Sequence, residues 1–302
     1  MRRLTLWPRK GDQPLNFADI RFHHYVFDVG VMHAVFDVTP MGFYAWLVRP
    51  ESPRAARARE LTEQIRAVHH QTNGVYGSLK ITRELRHRKT LVNRKTVARL
   101  MRGMGIRLKV GRKFRVQTTD SAHANPDVPN VLDQNFARAA APDPVWGADI
   151  TYLATDEGFL YLAGVMDLHS RRTVGWSMDD TMTTDLVEPA FTAALHSRKP
   201  ALGLLHHSNR GVQYTSGRYR ELLKKHGITA SMSRTGNCYD NAVIEYFWGK
   251  LKTEMAYHNR FVSKAQARAA IFEYIEMFYN PTRLHAALDY LRPQTFEERT
   301  VA

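Results

Sequence analysis

The sequence predicts a mixed α/β domain preceded by all-α segments. Three observations carry this. From Val145 onward, short apolar runs alternate first with tight turns and then with helical stretches, in the order β-β-β-α-β-α-β-α. That order builds a mixed sheet with helices packed on it and reactive groups at strand ends. Upstream, the apolar residues keep a 3.6-residue period, with capping residues ahead of most runs. Between the two lie residues 118–145, rich in Thr, Ser, Asn, Asp, Ala and Pro, which is the composition of a domain boundary.

Residues 1–50 give a small helical segment. Phe17, Ile20, Phe22, Tyr25, Val26 and Phe27 supply apolar cover for a first helix, and Val31–Asp37 for a second. Thr39 and Pro40 stand as N-cap and first residue of a third helix, which runs through Tyr44, Trp46 and Leu47. Two short helices joined by a tight turn suit either a helix-turn-helix or a plain helical hairpin. Ser52 is placed to cap a long helix over 53–71, with Leu61, Ile65 and Val68 inward. Ser78 is placed to cap another, to about Arg88, with Leu79, Ile81, Thr82 and Leu85 as core positions. Asn93 caps the next, from Arg94 to Met104, where Val97, Leu100, Met101 and Met104 keep the helical period. A helix, a short turn and a helix opening on Arg94-Lys95-Thr96 is the layout of a DNA-reading helix-turn-helix; the plainer reading is a bundle helix with a solvated basic face. Residues 107–117, with Arg107, Lys109, Arg112, Lys113 and Arg115, form a basic strip without apolar period, suited to lie along a phosphate backbone.

The sheet-forming half opens with Val145–Leu153. Then come a turn at Asp156-Glu-Gly, the apolar run Phe159–Asp167, a turn at His169-Ser-Arg-Arg, and Thr173–Met178. These are three strands of an antiparallel meander. Thr184 is placed to cap a helix through Leu195. Ala201–His207 reads as a fourth strand that runs into Ser208-Asn-Arg-Gly. Ser216 caps a helix to about His226, and Ile228–Met232 is a fifth strand. A long helix over Asn237–His258, an amphipathic helix over 263–279 and a basic tail close the chain. These readings divide the sequence into 1–50, 51–106 (the helix-turn-helix), 107–143 (a linker), 144–260 (the sheet-forming core) and 261–302.

Composition narrows the partners. Lys and Arg number 43 against 29 Asp and Glu in 302 residues, for a formal net charge of +14 and a pI near 10.0. A soluble chain this basic partners most often with polyanions, nucleic acid first. An anionic membrane is the weaker alternative, because no basic amphipathic helix stands out. No run approaches the ~18 apolar residues of a membrane helix, and the start, Met1-Arg-Arg, lacks the apolar segment of a signal peptide. One cysteine, Cys238, excludes a disulfide within the chain, which fits a reducing cytosol.

Asn241, Glu245, Trp248 and Lys252 fall on one face of the long helix. A carboxylate there could hold a divalent cation, with Lys252 about two turns away to meet a nucleic-acid phosphate. By itself, such a pair is more often a solvated helix face. Asp149, in a strand of apolar and small residues, changes the balance, since a buried carboxylate is costly unless paired or metal-bound. His206 and His207 have no Cys/His partners at zinc spacing and read as strand-end structure. Asp167 reads as a turn stabiliser with Ser170-Arg171, and Asp240 and Asn241 as helix caps. Cys238 has no base beside it and does not read as a nucleophile.

Several motifs together resemble the OrfB-type catalytic protein of the insertion sequence three family of transposases. They are Asp149-Ile-Thr-Tyr, Asp167-Leu-His-Ser-Arg, His206-His-Ser-Asn-Arg-Gly-Val-Gln-Tyr and Ser231-Met-Ser-Arg-Thr-Gly-Asn-Cys-Tyr-Asp-Asn-Ala, with Glu245 and Lys252. Tyr44-Ala-Trp, Tyr76-Gly, Arg99-Leu-Met-Arg, Trp146 and Tyr279-Asn-Pro-Thr-Arg-Leu-His resemble it too, so the likeness spans about residues 30–300. The resemblance implies an RNase H-like core with a retroviral-integrase (DDE) site. Two aspartates and a glutamate would bind two Mg²⁺ or Mn²⁺ ions, one activating the attacking water or 3′-hydroxyl and the other stabilising the leaving oxygen. The three positions map onto Asp149, position 209 and Glu245, with the family's 35 residues between the last two. Position 209 departs from the pattern, being Asn209 rather than aspartate. A neutral amide in place of a hard anionic ligand predicts intact folding and DNA binding but impaired cleavage and joining. Deliberate replacement and natural decay both fit this departure; the intact motifs around it favour replacement.

The resemblance further implies duplex DNA as partner, both terminal inverted repeats and target, and assembly into a homo-oligomer on that DNA. It also implies an upstream helix-turn-helix partner protein joined by frameshifting, and a bacterial cytoplasmic location at the nucleoid. Arg94, Lys95, Arg99, Arg102, Arg112, Lys113, Lys250 and Lys252 are the expected DNA contacts. Two other functions compete: a non-catalytic end-binding protein or repressor, kept open by Asn209, and a nuclease of the same fold directed at RNA.

Overall fold

The computed structural model describes residues 13–109, 128–234 and 241–301. They fall into two compact units, Met1–Glu63 and Gln64–Ala302. Arg112, Lys113, Cys238 and Asp240 lie outside the described residues.

The first unit holds α1 (Gln13–His23), α2 (Val29–Val35), α3 (Pro40–Val48) and the start of α4 (Pro53–Gln71). Phe17, Ile20, Met32, Phe36, Val38 and Phe43 make its small core. Thr39 caps α3 as its sequence predicts, accepting from Gly42 N at 3.1 Å with Pro40 in the first turn. Ser52 likewise accepts from Ala55 N at 3.2 Å ahead of α4. Phe22, Tyr25, Val26 and Phe27 do not cover a helix; all four are exposed. Phe22 lies on the exposed face of α1, and the turn that follows His23 carries Tyr25, Val26 and Phe27 outward.

The second unit continues α4 into α5 (Ser78–His87) and α6 (Arg94–Gly103). Asn93 caps α6 by accepting from Lys95 N at 2.7 Å. Ser78 is the first helical residue rather than the cap; Gly77 holds the cap position, without a side-chain bond. Leu79 is also exposed, because Ile81, Thr82 and Leu85 already fill the buried face.

Next comes a sheet of β1 (Val145–Thr155), β2 (Gly158–Asp167), β3 (Thr173–Asp179), β4 (Leu205–Ser208) and β5 (Thr229–Met232), in the order β3-β2-β1-β4-β5. The meander β1-β2-β3 is antiparallel, while β4 and β5 join β1 in parallel. Interleaved are α7 (Thr184–Arg198), α8 (Val212–Thr215), α9 (Gly217–Lys225), α10 (Ala242–Glu254), α11 (Lys264–Phe272) and α12 (Pro293–Val301). Thr183, not Thr184, occupies the cap position of α7. Strand β4 is shorter than its apolar run suggests, since Gly203 at φ +94° turns the chain just before it. Helix α11 passes into a π-helical stretch, Glu273–Tyr279.

Alternation along β1 sorts its side chains onto two faces. Trp146, Ala148 and Ile150 pack with α7 and α9. Val145 and Leu153 pack with α10, α11 and the segment after them. The closing stretch is no loose basic tail. Arg283 is 1% exposed, and Arg198 binds Glu297 of α12 and Asp143 together.

Candidate active site

Register brings two of the predicted residues side by side. In the parallel pair β1–β4, Gly147 stands opposite His207 and Ala148 opposite Ser208. The next residues along the chain are Asp149, still in β1, and Asn209, just past the end of β4. Asn209 Nδ2 donates to Asp149 Oδ1 at 2.7 Å, and Asn209 Oδ1 accepts from Gly211 N at 2.9 Å. These two partners fix the amide's orientation, because a flip would set oxygen against carboxylate and N–H against N–H.

The third residue arrives on α10. Its face of Glu245, Trp248 and Lys252 meets the Asp149 side of the sheet, while Ile244, Phe247 and Leu251 are buried. Trp248 Nε1 donates to Asp149 Oδ2 at 3.1 Å. The indole lies on β2 at Gly164, where an added Cβ would meet Trp248 Cη2 at 2.7 Å, so only glycine fits opposite Asp149. Asn241 does not cap α10 through its side chain; it donates to Ala148 O at 3.3 Å, pinning the helix start to β1. Lys252 Nζ sits 5.0 Å from the Tyr152 ring centroid.

Burial pushes the Asp149 carboxyl up to about 7, and the charge of Glu245 adds to this against the opposing bonds from Ile150 N and Trp248. Burial also raises Glu245 and lowers Lys252, the latter offset by attraction to Asp149. The site thus sets a buried carboxylate, Asp149, beside the more exposed Glu245, an excess of negative charge tempered by two neutral N–H donors and one lysine.

Sequence likeness agrees with this geometry. Profiles of an integrase core domain match residues 139–238 and 226–293, and that of an HTH-like domain matches 56–114. The insertion element IS600 uncharacterized 31 kDa protein of Shigella sonnei is 43% identical over 268 residues, spanning 89% of this chain and 98% of that protein. Transposase InsF for insertion sequence IS3A of Escherichia coli (strain K12) is 39% identical over 290 residues, spanning 95% of this chain and 100% of InsF. The chain belongs to the IS3 family of insertion-sequence transposases. Among solved structures, the HTLV-2 integrase catalytic core domain in complex with magnesium is 16% identical with a TM-score of 0.41, covering 53% of this chain and 99% of that one.

Integrase-type cores are generally divalent-metal dependent. The side chains of this IS3-family chain do not fit a pair of cations as they stand. Both Asp149 oxygens accept N–H groups, the Asn209 oxygen is turned onto Gly211, and an amide supplies no charge. Among the described residues no group of three or more His, Cys, Asp and Glu could hold a metal ion.

The remaining candidates are placed as follows. His206 and His207 are buried structure: His206 pairs with Tyr219 Oη at 3.0 Å, and His207 lies between Ser231 and Ser233 at 2.9 and 3.1 Å. Asp167 accepts from Ser170 N at 2.9 Å and Ser170 Oγ at 2.6 Å, the turn role its sequence suggests. On α6, Val97 and Met101 are buried, while Arg94, Lys95, Arg99 and Arg102 are exposed within an arc of roughly 140° at 3.6 residues per turn. No single described helix is long and apolar enough to cross a membrane. Sequence reasoning put Trp248 on the site's face without giving it a role. An aromatic N–H one turn after a candidate glutamate was the available signal.

Proposed function

We propose that this IS3-family chain binds the ends of its insertion sequence as an oligomer, and that Asn209 suppresses its own strand cleavage and joining. The bond from Asn209 Nδ2 to Asp149 Oδ1 carries this reading. It leaves the fold of the site whole while removing one of three charges that the chemistry needs. With aspartate restored at position 209, Asp149 and Glu245 would complete a site for two Mg²⁺ or Mn²⁺ ions. The exposed basic arc of α6 is the proposed duplex contact, with Arg112, Lys113, Lys250 and Lys252 adding phosphate contacts. Cytoplasmic action at the nucleoid, with an upstream helix-turn-helix partner, completes the proposal.

The test compares the chain with its Asn209→Asp form on duplex DNA taken from the borders of the coding element. Both forms should retard border DNA better than random duplex. With Mg²⁺, the Asn209→Asp form should nick and join it at least about 100-fold faster, the equivalent of about 2.7 kcal/mol. Equal cleavage by both forms would overturn the suppression. Selective binding without cleavage by either form would favour the second reading, a non-catalytic end-binding protein.

A further inference from the structure

Helix α10 presents a second face to a cavity. Tyr246, Lys250 and Thr253 turn away from Asp149 and line a cavity of about 410 Å³. Lys80 of α5, Lys109 beyond α6, Glu254 and Arg283 complete the relevant lining, and all belong to the second compact unit.

The charge there is one-sided. Glu254 is already engaged: Arg283 donates to its two oxygens at 2.6 and 2.7 Å, and Tyr274 Oη donates at 2.9 Å. Lys80 Nζ rests 5.0 Å from the Tyr76 ring centroid, and Lys250 Nζ 5.0 Å from that of Tyr246. Among the described residues, Lys80, Lys109 and Lys250 form no ion pair. The crowding shows on the neighbours. Burial, together with the charges of Arg283 and Lys250 and against the attraction of Glu254, pushes Lys80 down to about 7. Burial and the surrounding cations hold His285 neutral. Like charges gathered around a cavity destabilise the fold until an anion enters.

We propose that this cavity binds phosphodiester groups of duplex DNA, at a site separate from the reacting centre, through Lys80, Lys109 and Lys250. The proposal rests on the reading of the chain as a DNA binder. It assigns a phosphate contact where α5, packed on α6, meets the helix that carries Glu245. A strand held there would run between the duplex-reading helix and the reactive carboxylates, which ties end binding to placement of the scissile phosphate. Lys80 has no sequence signature for this role, since Lys250 lies 170 positions away.

The experiment uses the full chain and a fluorescent border duplex, with anisotropy measured from 50 to 200 mM salt. Lys80→Ala combined with Lys250→Ala should flatten the plot of log affinity against log salt by up to about 1.8, or about 0.9 for each phosphate no longer neutralised. Lys224→Ala with Lys225→Ala, on the exposed end of α9, should leave the slope unchanged. Amine acylation of the unaltered chain gives a second readout that does not depend on a variant's folding. Duplex should protect Lys80 and Lys250 but not Lys224. If the unaltered chain binds duplex while the slope and the acylation pattern stay put, the cavity assignment fails and the DNA reading survives. If the unaltered chain binds no duplex, the DNA reading fails and the cavity assignment with it. Protection by inorganic tripolyphosphate but not by duplex would overturn the backbone assignment.

Discussion

The carboxylate of Asp149 is held between Asn209 and Trp248, one N–H donor on each oxygen, at 2.7 and 3.1 Å. Replacing the first donor by a second carboxylate removes a hydrogen bond and adds a like charge beside the buried Asp149. Asn209→Asp is therefore expected to lose about 1–3 kcal/mol of stability in chelator. Millimolar Mg²⁺ should recover much of that loss and should leave the Asn209 chain unmoved. Thermal melts with and without Mg²⁺ check this, and identical metal shifts in the two forms would rule it out.

The Trp248 indole separates bonding from packing. Trp248→Phe keeps an aromatic body over Gly164 but deprives Asp149 of a donor, and should cost about 1–3 kcal/mol. Trp248→Ala also opens a cavity and should cost about 3–5 kcal/mol. Gly164→Ala should cost about 1–3 kcal/mol, because its Cβ drives into the ring. Urea unfolding orders the three; a neutral Gly164→Ala would mean that the indole is free to move aside.

Acid should unfold the protein through its neutral histidines. Burial pushes His206 down to about 3 and His285 to about 2, so neither takes a proton in the fold as pH drops below 6.5. The unfolded chain does take them, so stability is whole above about pH 6.5 and falls progressively below it, by up to about 1.4 kcal/mol per pH unit for each group. Asp149 works the other way. Held up at about 7, it stabilises the fold at low pH, and that contribution is lost as pH rises from about 4 through 7. His206, His285 and Asp149 together should contribute a slope of about one proton to the unfolding free energy between pH 4 and 6, and His206→Phe should lower the measured slope by about one proton. An unchanged slope in His206→Phe would exclude His206 as the source.

Arg283 and Glu254 form a buried ion pair, bonded at 2.6 and 2.7 Å, that ties the closing segment to α10. Arg283→Met leaves Glu254 uncompensated and should cost about 3–5 kcal/mol. Arg283→Met with Glu254→Gln should recover part of it. Denaturation of the single and double variants measures the coupling; strictly additive losses would show that the pair contributes nothing as a pair.

Local patterns were readable without coordinates wherever local physics decides. The caps at Thr39, Ser52, Asn93 and Ser216, the strands of the meander and the apolar face of α6 follow from neighbours a few residues apart. Alternation and a strand-end position marked Asp149 and Asn209 as candidates, and periodicity marked Glu245. What periodicity misses is context. Phe22 and Leu79 are apolar yet exposed, because the buried faces beside them are already full. Arg283 is basic yet buried, because an acid 29 positions earlier folds back onto it.

The order of elements, the helix caps and the chemistry of each candidate residue were settled by the chain's own covalent sequence, since short-range sterics and hydrogen bonding act between near neighbours. Only the folded molecule decided that the amide of position 209 turns its N–H toward Asp149, that an indole closes the other side, and that lysines from distant helices share one cavity. Those facts depend on strand register and helix placement, which arise from long-range packing and have no local signature.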